Sequence, residues 1–378
     1  MILIYSYEFP TAIGGIASFI FNLADYLSSK KPNLVVLTRG FSGEDKLLDQ
    51  KQLFVTIRLP GYKNTLVNYL IGIFSLPLVI IMFKPKIILV ADILSQRIVS
   101  FLSLLRLVNK GRIFLSCYGS EIITNYNENG IKKILFTRIY HNAPLIIAIS
   151  RYTKELLLQK QIPENKIIII NPWLDNKWVS NNSNSLKVRE ELKLKNANII
   201  LTVARLSYRK GQDIVISLMP KILKELPSTK YLIVGEGEDR MKLKEIVYKN
   251  NLQDDVIFIG KVKKEDLIDY YDACDIFVMP SREVGNLTEG FGISFIEAGA
   301  RGKPVIGTRV GGIADAVVNG QTGYLVEEND LNGLYEKIIC LLSDKKLAYQ
   351  LGENARRHVR DNFLWDNINN FVLNKIFQ

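Results

Sequence analysis

Two glutamates, Glu289 and Glu297, stand on either side of the glycine-rich run EGFGISFIE. Carboxylates accept hydrogen bonds from neutral hydroxyls, and amides at the start of a helix receive phosphate or sugar oxygens. Phe291 to Ser294 lead into a short helix that Gly302 ends, so polyol and phosphate recognition can meet in this one segment. The plainer alternative makes Glu297 the partner of a nearby arginine and Glu289 a surface residue. Upstream, LTVARLSYRKGQD sets Arg205, Arg209 and Lys210 behind a β-type run. Cations on a strand-to-helix loop neutralise a diphosphate by charge-assisted contacts, unless they are simply solvated. In PTAIGGIASFIFNLADYL, Gly14 and Gly15 open a helix without a Cβ in the way, which suits either an anion against the helix end or a tight turn.

Other chemistries are excluded by composition. Three scattered cysteines, Cys117, Cys274 and Cys340, make neither a disulfide framework nor a zinc cluster, and a reducing compartment follows as the expectation. Two isolated histidines, His141 and His358, offer no metal pair and no triad. Chemistry is left to carboxylates, Arg, Lys and backbone. The run LIVGEGEDRMKLKE imitates a dinucleotide fingerprint, but Arg240 stands where its third glycine belongs and no acidic residue follows at the proper distance, so a nicotinamide cofactor is excluded. Gly260 to Val262 end a strand and can lay backbone beside a base.

These residues need a scaffold. The chain has 378 residues, enough for two domains, with 48% hydrophobic and 23% charged residues, a composition that excludes disorder as the dominant state. Short apolar β-rich runs (ILIYSY, LVVLT, IILVA, RIFLSCY) alternate with helix-period segments, a polar tract occupies 175–198, and the rhythm restarts with IILTVARL, KYLIVG, DVIFIG, DIFVMPS and KPVIGT. That pattern predicts an α/β protein of two doubly wound parallel sheets, with domains over 1–180 and 181–362 and a C-terminal helix over 363–378 returning to the first. Ligands of such sheets sit beyond the carboxyl ends of the strands, where the four loops above fall.

Charge is uneven. Of the net +11, residues 1–180 hold 21 Lys and Arg against 11 Asp and Glu, while 181–378 hold 28 against 27. The excess in the first half points to an anionic partner, nucleic acid or an acidic membrane surface, or to nothing beyond solvated lysine. Aromatics do not interleave with the basic residues as a nucleic-acid stacking platform requires. The start, MILIYSYEFP, has no basic n-region and reads as a strand, not a secretory leader. Leu66 to Phe83 is free of charge but interrupted by Asn68, Gly72, Ser75 and Pro77, and reads as a buried or interfacial helix ahead of a strand.

From Asn198 to about Asp366 the ordered set ARLSYRKG, LIVGEGE, VIFIGKV, DACDIFVMPSR, EGFGISFIE, GKPVIGT and VGGIADAVVNGQTGYLV resembles the donor-binding domain of glycosyltransferase family 4, of the GT-B fold. The first half resembles that family more loosely, through PTAIGGIASFIFNLADYL and AISRYTKELL. The resemblance implies two Rossmann-like domains facing each other across a cleft and a retaining, metal-independent hexosyltransferase that uses a nucleotide-diphosphate sugar, a UDP-sugar or GDP-mannose, with no cofactor. Arg205 and Lys210 would then hold the diphosphate, Gly15 would add an amide, and Glu297 would accept from the ribose hydroxyls. Val262 would lie by the base, and Glu289 with Phe291, Gly292 and Ile293 would hold the sugar. Loss of Arg205 or Lys210 is expected to weaken the enzyme with little effect on stability.

Two departures stand out. Tyr118 occupies the place of a common family histidine, so its hydroxyl, with Glu121 as an acceptor-side carboxylate, would serve the sugar side, or both are structural. Trp173 replaces a common glycine at the end of the first domain, a change expected to alter the hinge and not the chemistry. The basic first half, with Arg97, Arg106, Lys110, Arg112, Lys132 and Lys133 around apolar helices, suits an anionic membrane surface and a glycan or lipid-linked acceptor. The expectation is thus a cytoplasmic enzyme, peripheral on the inner face of the cell membrane, acting in polysaccharide or glycolipid assembly. A non-catalytic nucleotide-sugar sensor of the same fold is the alternative.

Overall fold

The computed structural model describes residues 1–10, 12, 14–30, 33–40, 45–180 and 185–365. The described residues divide into two compact units, the first over Met1–Asn171 and the second over Pro172–Trp365. In the first, strands β1 (Ile2–Tyr5), β2 (Leu34–Arg39), β3 (Val55–Leu59), β4 (Ile87–Val90), β5 (Ile113–Cys117), β6 (Leu145–Ala148) and β7 (Ile167–Ile169) form one sheet in the order β3-β2-β1-β4-β5-β6-β7. In the second, β8 (Asn198–Val203), β9 (Thr229–Val234), β10 (Val256–Gly260), β11 (Ile276–Met279), β12 (Val305–Thr308) and β13 (Gly323–Val326) follow the order β10-β9-β8-β11-β12-β13. Both sheets are parallel throughout.

Parallel strands buried on both faces must be apolar along their whole length, which is why these runs read as continuous β-branched segments and not as alternations. Leu3, Tyr5, Val35, Val90, Leu115 and Ile146 anchor the first core, and Ile200, Val215, Tyr231, Ile276, Ile306 and Leu341 the second. Each sheet winds outward from its first strand in both directions. The switch points therefore lie between β1 and β4 and between β8 and β11, and the loops leaving those strands are where a doubly wound sheet opens to a ligand.

The boundary at Asn171/Pro172 comes earlier than residue 180. Residues 172–180 pack with the second unit: the Leu174 amide donates to the Phe363 carbonyl at 2.8 Å, Trp173 lies against Trp365 at 5.5 Å between ring centroids, and Trp178 is fully buried with its carbonyl taken by Arg301. Polarity at 175–198 suggested the break, but the buried side chains of Trp173, Leu174 and Trp178 decide where the segment packs. Of the expected C-terminal helix over 363–378, residues 366–378 lie outside the described residues.

The uncharged stretch forms the helix Thr65–Phe83, started by Asn64, whose side chain accepts from the Leu66 amide, and ended at Lys84 in the left-handed region. One face is buried through Asn68, Gly72, Leu76 and Val79, and the strand that follows is β4, at the centre of its sheet.

Candidate functional site

At the switch point of the second sheet, two loops meet. The first leaves β8 as Arg205 to Lys210 and turns at Gly211, whose φ is +73°. A Cβ there would stand 2.1 Å from the Pro280 carbonyl oxygen, so only glycine lets the loop lie against the segment that leaves β11. Two further contacts fasten the loops together. The Arg282 amide donates to the Arg209 carbonyl at 2.8 Å, and the Arg282 guanidinium holds Asp213 through two 3.0 Å hydrogen bonds while lying 3.9 Å from the Tyr208 ring centroid.

The second loop carries Glu289. Its carboxylate is nearly buried, with 11% of the side chain exposed, and one oxygen takes both Lys210 Nζ and Arg209 Nη1, the latter at 2.9 Å. Arg209 also donates to the Thr288 carbonyl at 3.2 Å. The Glu289 carbonyl accepts the Gly312 amide at 2.8 Å, and a Cβ on Gly311 would stand 2.0 Å from that same oxygen. Burial alone would raise the Glu289 carboxyl, but the charges and hydrogen bonds of Lys210 and Arg209 outweigh it and hold the group below its ordinary range. Lys210 is pushed down by burial and by Arg209 and Arg205, against the pull of Glu289. Two cations thus share one oxygen of Glu289, and a third, Arg205, acts electrostatically on Lys210. Arg205 is the exposed one, with no ion pair among the described residues, and its carbonyl accepts from the Gln212 side chain at 3.0 Å.

Beyond Glu289 the chain passes buried Phe291 and Gly292, the N-cap of the helix Ile293–Ala300, which has no side-chain cap. The Phe295 amide donates to the Gly292 carbonyl at 3.0 Å, which leaves the amides of Ile293 and Ser294 at the helix start for an external acceptor. Ser294 anchors this helix start to β8 by donating to the Val203 carbonyl at 2.8 Å. Glu297, one turn in, is half-buried and accepts from the Tyr271 hydroxyl at 2.7 Å. Burial raises its carboxyl, opposed by that hydrogen bond and by the charge of Lys264. Val262 follows the end of β10 and is half-buried.

The structure therefore brings together Lys210 and Glu289, with Arg205 on the same loop and Phe291, Gly292, Ile293 and Glu297 in the segment that continues from Glu289. The pairing itself was not legible: Arg209 and Lys210 read as free cations for a ligand, yet both hold Glu289. Tyr271, the partner of Glu297, carried no signal in its spacing.

Three predicted residues stand in the first unit. Gly15 is exposed at the first position of the helix Gly15–Lys30. Tyr118 is buried just past β5, its hydroxyl accepting from Ser116 at 3.0 Å and its ring edge-on to Phe19. Glu121 is buried in the first turn of the helix Ser120–Asn127 and accepts from the amides of Tyr118 and Gly119. Burial lifts its carboxyl to about 7, although those amides pull it down. The contacts of this pair lie within the first unit: the Tyr118 hydroxyl meets Ser116, and Glu121 closes its own loop. Among the described residues, no group of three His, Cys, Asp or Glu side chains could hold a metal ion.

Two family models divide the chain between them, Glycosyltransferase Family 4 over residues 13–178 and Glycosyl transferases group 1 over residues 184–358. A GDP-mannose-dependent alpha-(1-6)-phosphatidylinositol monomannoside mannosyltransferase of Mycolicibacterium smegmatis is 28% identical over 257 residues, 67% of this chain and 67% of its own length. Among solved structures, sucrose-phosphate synthase from Thermosynechococcus elongatus superposes with a TM-score of 0.83 at 24% identity, over 100% of this chain and 98% of that one. Anabaena HepE in complex with UDP-glucose does so at 0.82 and 19%, over 99% and 98%. With its two parallel-sheet units and its paired-glutamate loop, the chain belongs to glycosyltransferase family 4 and has the GT-B fold.

Proposed function

We propose that this glycosyltransferase moves a hexose from a nucleotide-diphosphate sugar to a glycan acceptor with retention at the anomeric carbon. The acceptor is lipid-linked, and the enzyme works on the cytoplasmic face of the cell membrane in cell-surface polysaccharide or glycolipid assembly. The observation that carries the donor side is the excess of positive charge at the β8/β11 switch point, where Arg209 and Lys210 share one oxygen of Glu289 and Arg205, on the same loop, adds a third cation that acts on Lys210. A diphosphate diester is a dianion, and it supplies the two charges this pocket lacks. The uncapped helix start at Gly292 adds amides to the same locus. The GDP-mannose-dependent relative and the UDP-glucose-bound neighbour support a donor of this class.

In this reading Arg205 and Lys210 take the diphosphate, and Glu289, released in part from Lys210, turns an oxygen to the sugar hydroxyls. Glu297, with one oxygen on Tyr271, offers the other to the ribose. As the bond from the anomeric carbon to the phosphate oxygen breaks, negative charge grows on the nucleoside diphosphate, and fixed cations stabilise it most where water is sparse. The acceptor oxygen forms the new glycosidic bond, and its proton passes to the departing phosphate oxygen on the same face of the sugar, which gives retention. The products are the glycosylated acceptor and a nucleoside diphosphate. Because the charge is met by side chains and amides, no metal is needed.

Release of nucleoside diphosphate on adding a lipid-linked glycan is the primary test, with the product's anomeric configuration read by NMR. Arg205→Ala should lower kcat/KM by about tenfold to hundredfold, the worth of one charge-assisted contact. Tight nucleotide-sugar binding without acceptor-dependent release would mark a sensor and overturn the catalytic reading, and an inverted product would overturn retention.

A further inference from the structure

Among the described residues, the helix Thr65–Phe83 has one face without a partner. Leu66, Leu70, Phe74, Leu78, Ile81 and Met82 are 63%, 47%, 71%, 64%, 70% and 72% exposed. At 3.6 residues per turn these six side chains fill a sector about 160° wide, centred nearly opposite the buried face. Together they run about 24 Å along the helix. Large apolar side chains in one contiguous exposed patch mark an interaction surface, since scattered singles are what an ordinary surface shows.

Charge says what covers it. From Gly61 to Ala91 the chain contains Lys63, Lys84 and Lys86 and no Asp or Glu. All three lysines are exposed, one just before the helix and two just after it. An apolar face with cations at both ends matches an anionic bilayer surface, with hydrocarbon for the stripe and lipid headgroups for the lysines. The helix is long enough to cross a membrane, but its other face is fixed to the unit. The Asn68 side chain is held by both backbone groups of Tyr62, the Tyr7 hydroxyl donates to the Asn68 carbonyl at 2.6 Å, and a Cβ on Gly72 would stand 2.5 Å from both Ile98 Cδ1 and the Tyr5 hydroxyl. Tyr69 packs on Phe101 of the next helix, Ile93–Leu104. A helix so attached along its length lies in the plane of the interface and does not span it.

We infer that the Thr65–Phe83 helix is the membrane-docking element, lying in an anionic leaflet with Phe74 and Leu78 among the acyl chains and Lys63, Lys84 and Lys86 at the headgroups. This deepens the membrane-side reading above by naming the element. It also shifts the contact away from some cations that the sequence suggested, because Arg97 is paired with Glu128 at 2.7 Å and Arg112 donates to the Pro85 carbonyl.

The test is flotation of the full chain with vesicles of phosphatidylethanolamine and phosphatidylglycerol, beside pure phosphatidylcholine vesicles. Binding is expected to be stronger to the anionic vesicles. Phe74→Ser/Leu78→Ser should weaken it by about tenfold or more, since two buried apolar side chains are lost. Lys84→Gln/Lys86→Gln should weaken it at low salt and leave a salt-insensitive remainder. In Phe74→Trp, lipids brominated along their acyl chains should quench the indole. Each variant alters exposed side chains, and an unchanged melting point with an unchanged nucleotide-sugar shift shows that the fold and the donor site are intact. Absence of flotation, flotation unaffected by Phe74→Ser/Leu78→Ser, or a Phe74→Trp blue shift that tracks protein concentration without vesicles would overturn the inference, the last in favour of a second copy. If donor binding persists in those cases, the transferase reading survives; if donor binding alone fails, the docking element survives.

Discussion

Glu289 and Glu121 are both buried carboxylates of opposite electrostatic character, and their pH behaviour should separate them. Glu289 is held below its ordinary 4.5 by Lys210 and Arg209. Its contribution to stability is present above 4.5 and is lost as pH falls through the lowered value, because the unfolded chain then binds the proton more readily. Glu289→Gln should therefore cost about 1–3 kcal/mol near neutrality and progressively less in acid, read as a melting-point difference across pH. A difference that does not shrink below pH 4.5 would argue against the ion pairs. Glu121 titrates near 7, above its ordinary 4.5, so between those values the folded chain holds a proton that the unfolded chain has released. Stability falls as pH climbs through that window, by roughly 3 kcal/mol in all. Glu121→Gln keeps an acceptor for the amides of Tyr118 and Gly119 and should flatten that slope; parallel curves for the two proteins would refute it. The Lys210–Glu289 contact also revises one expectation. Arg205→Ala removes an exposed side chain and leaves stability alone, whereas Lys210→Ala leaves a buried carboxylate with Arg209 only.

At the scale of elements, catalysis in this reading depends on how closely the β8 loop is pressed to the segment after β11, and Gly211 sets that distance. Gly211→Ala combines a positive φ with a Cβ 2.1 Å from the Pro280 carbonyl, so the loop must retreat and carry Lys210 with it. A loss of about 1–3 kcal/mol in stability and a weaker nucleotide-sugar affinity are expected together. Gly320→Ala is the control: its φ is +75° with nothing within 4 Å of the added Cβ, so it should cost only about 1 kcal/mol and leave donor affinity unchanged. Equal affinities in both variants would show that Lys210 is not placed by this contact. Such contacts explain what the sequence could and could not convey. Continuous β-branched runs such as IILTV and the glycines before helix starts announced the parallel sheets and the ligand-bearing loops, because burial on both faces and close backbone approach each demand particular residue types. Side-chain partners were not announced. That Glu289 meets Arg209 and Lys210, that Glu297 meets Tyr271, and that Trp173 packs on Trp365 all depend on distances between segments far apart in the chain, to which local spacing is blind.

For the whole molecule, the division of charge implies a division of partners that one experiment can resolve. The first half carries nearly all of the net positive charge together with the exposed apolar helix, and the second carries the cationic switch point with a nearly neutral balance. A ligand that binds only the folded chain stabilises it by mass action, about 2.7 kcal/mol at a hundredfold excess over Kd. In units of this size that is a rise of several degrees in melting temperature, on the order of 2–4 °C per kcal/mol. A panel of UDP-sugars and GDP-mannose should therefore contain at least one donor that produces this rise, and the one that does names the base and sugar. The proposed site, in which Arg205, Arg209, Lys210 and the helix start at Gly292 take the diphosphate without a metal, predicts that the rise persists in EDTA and collapses in Lys210→Ala. It should be unchanged in Phe74→Ser/Leu78→Ser, whose substitutions lie in the other unit. A panel without any shift would remove the diphosphate site from the account, and a shift lost in EDTA would mean that a cation from solution completes the pocket which the three side chains were taken to fill.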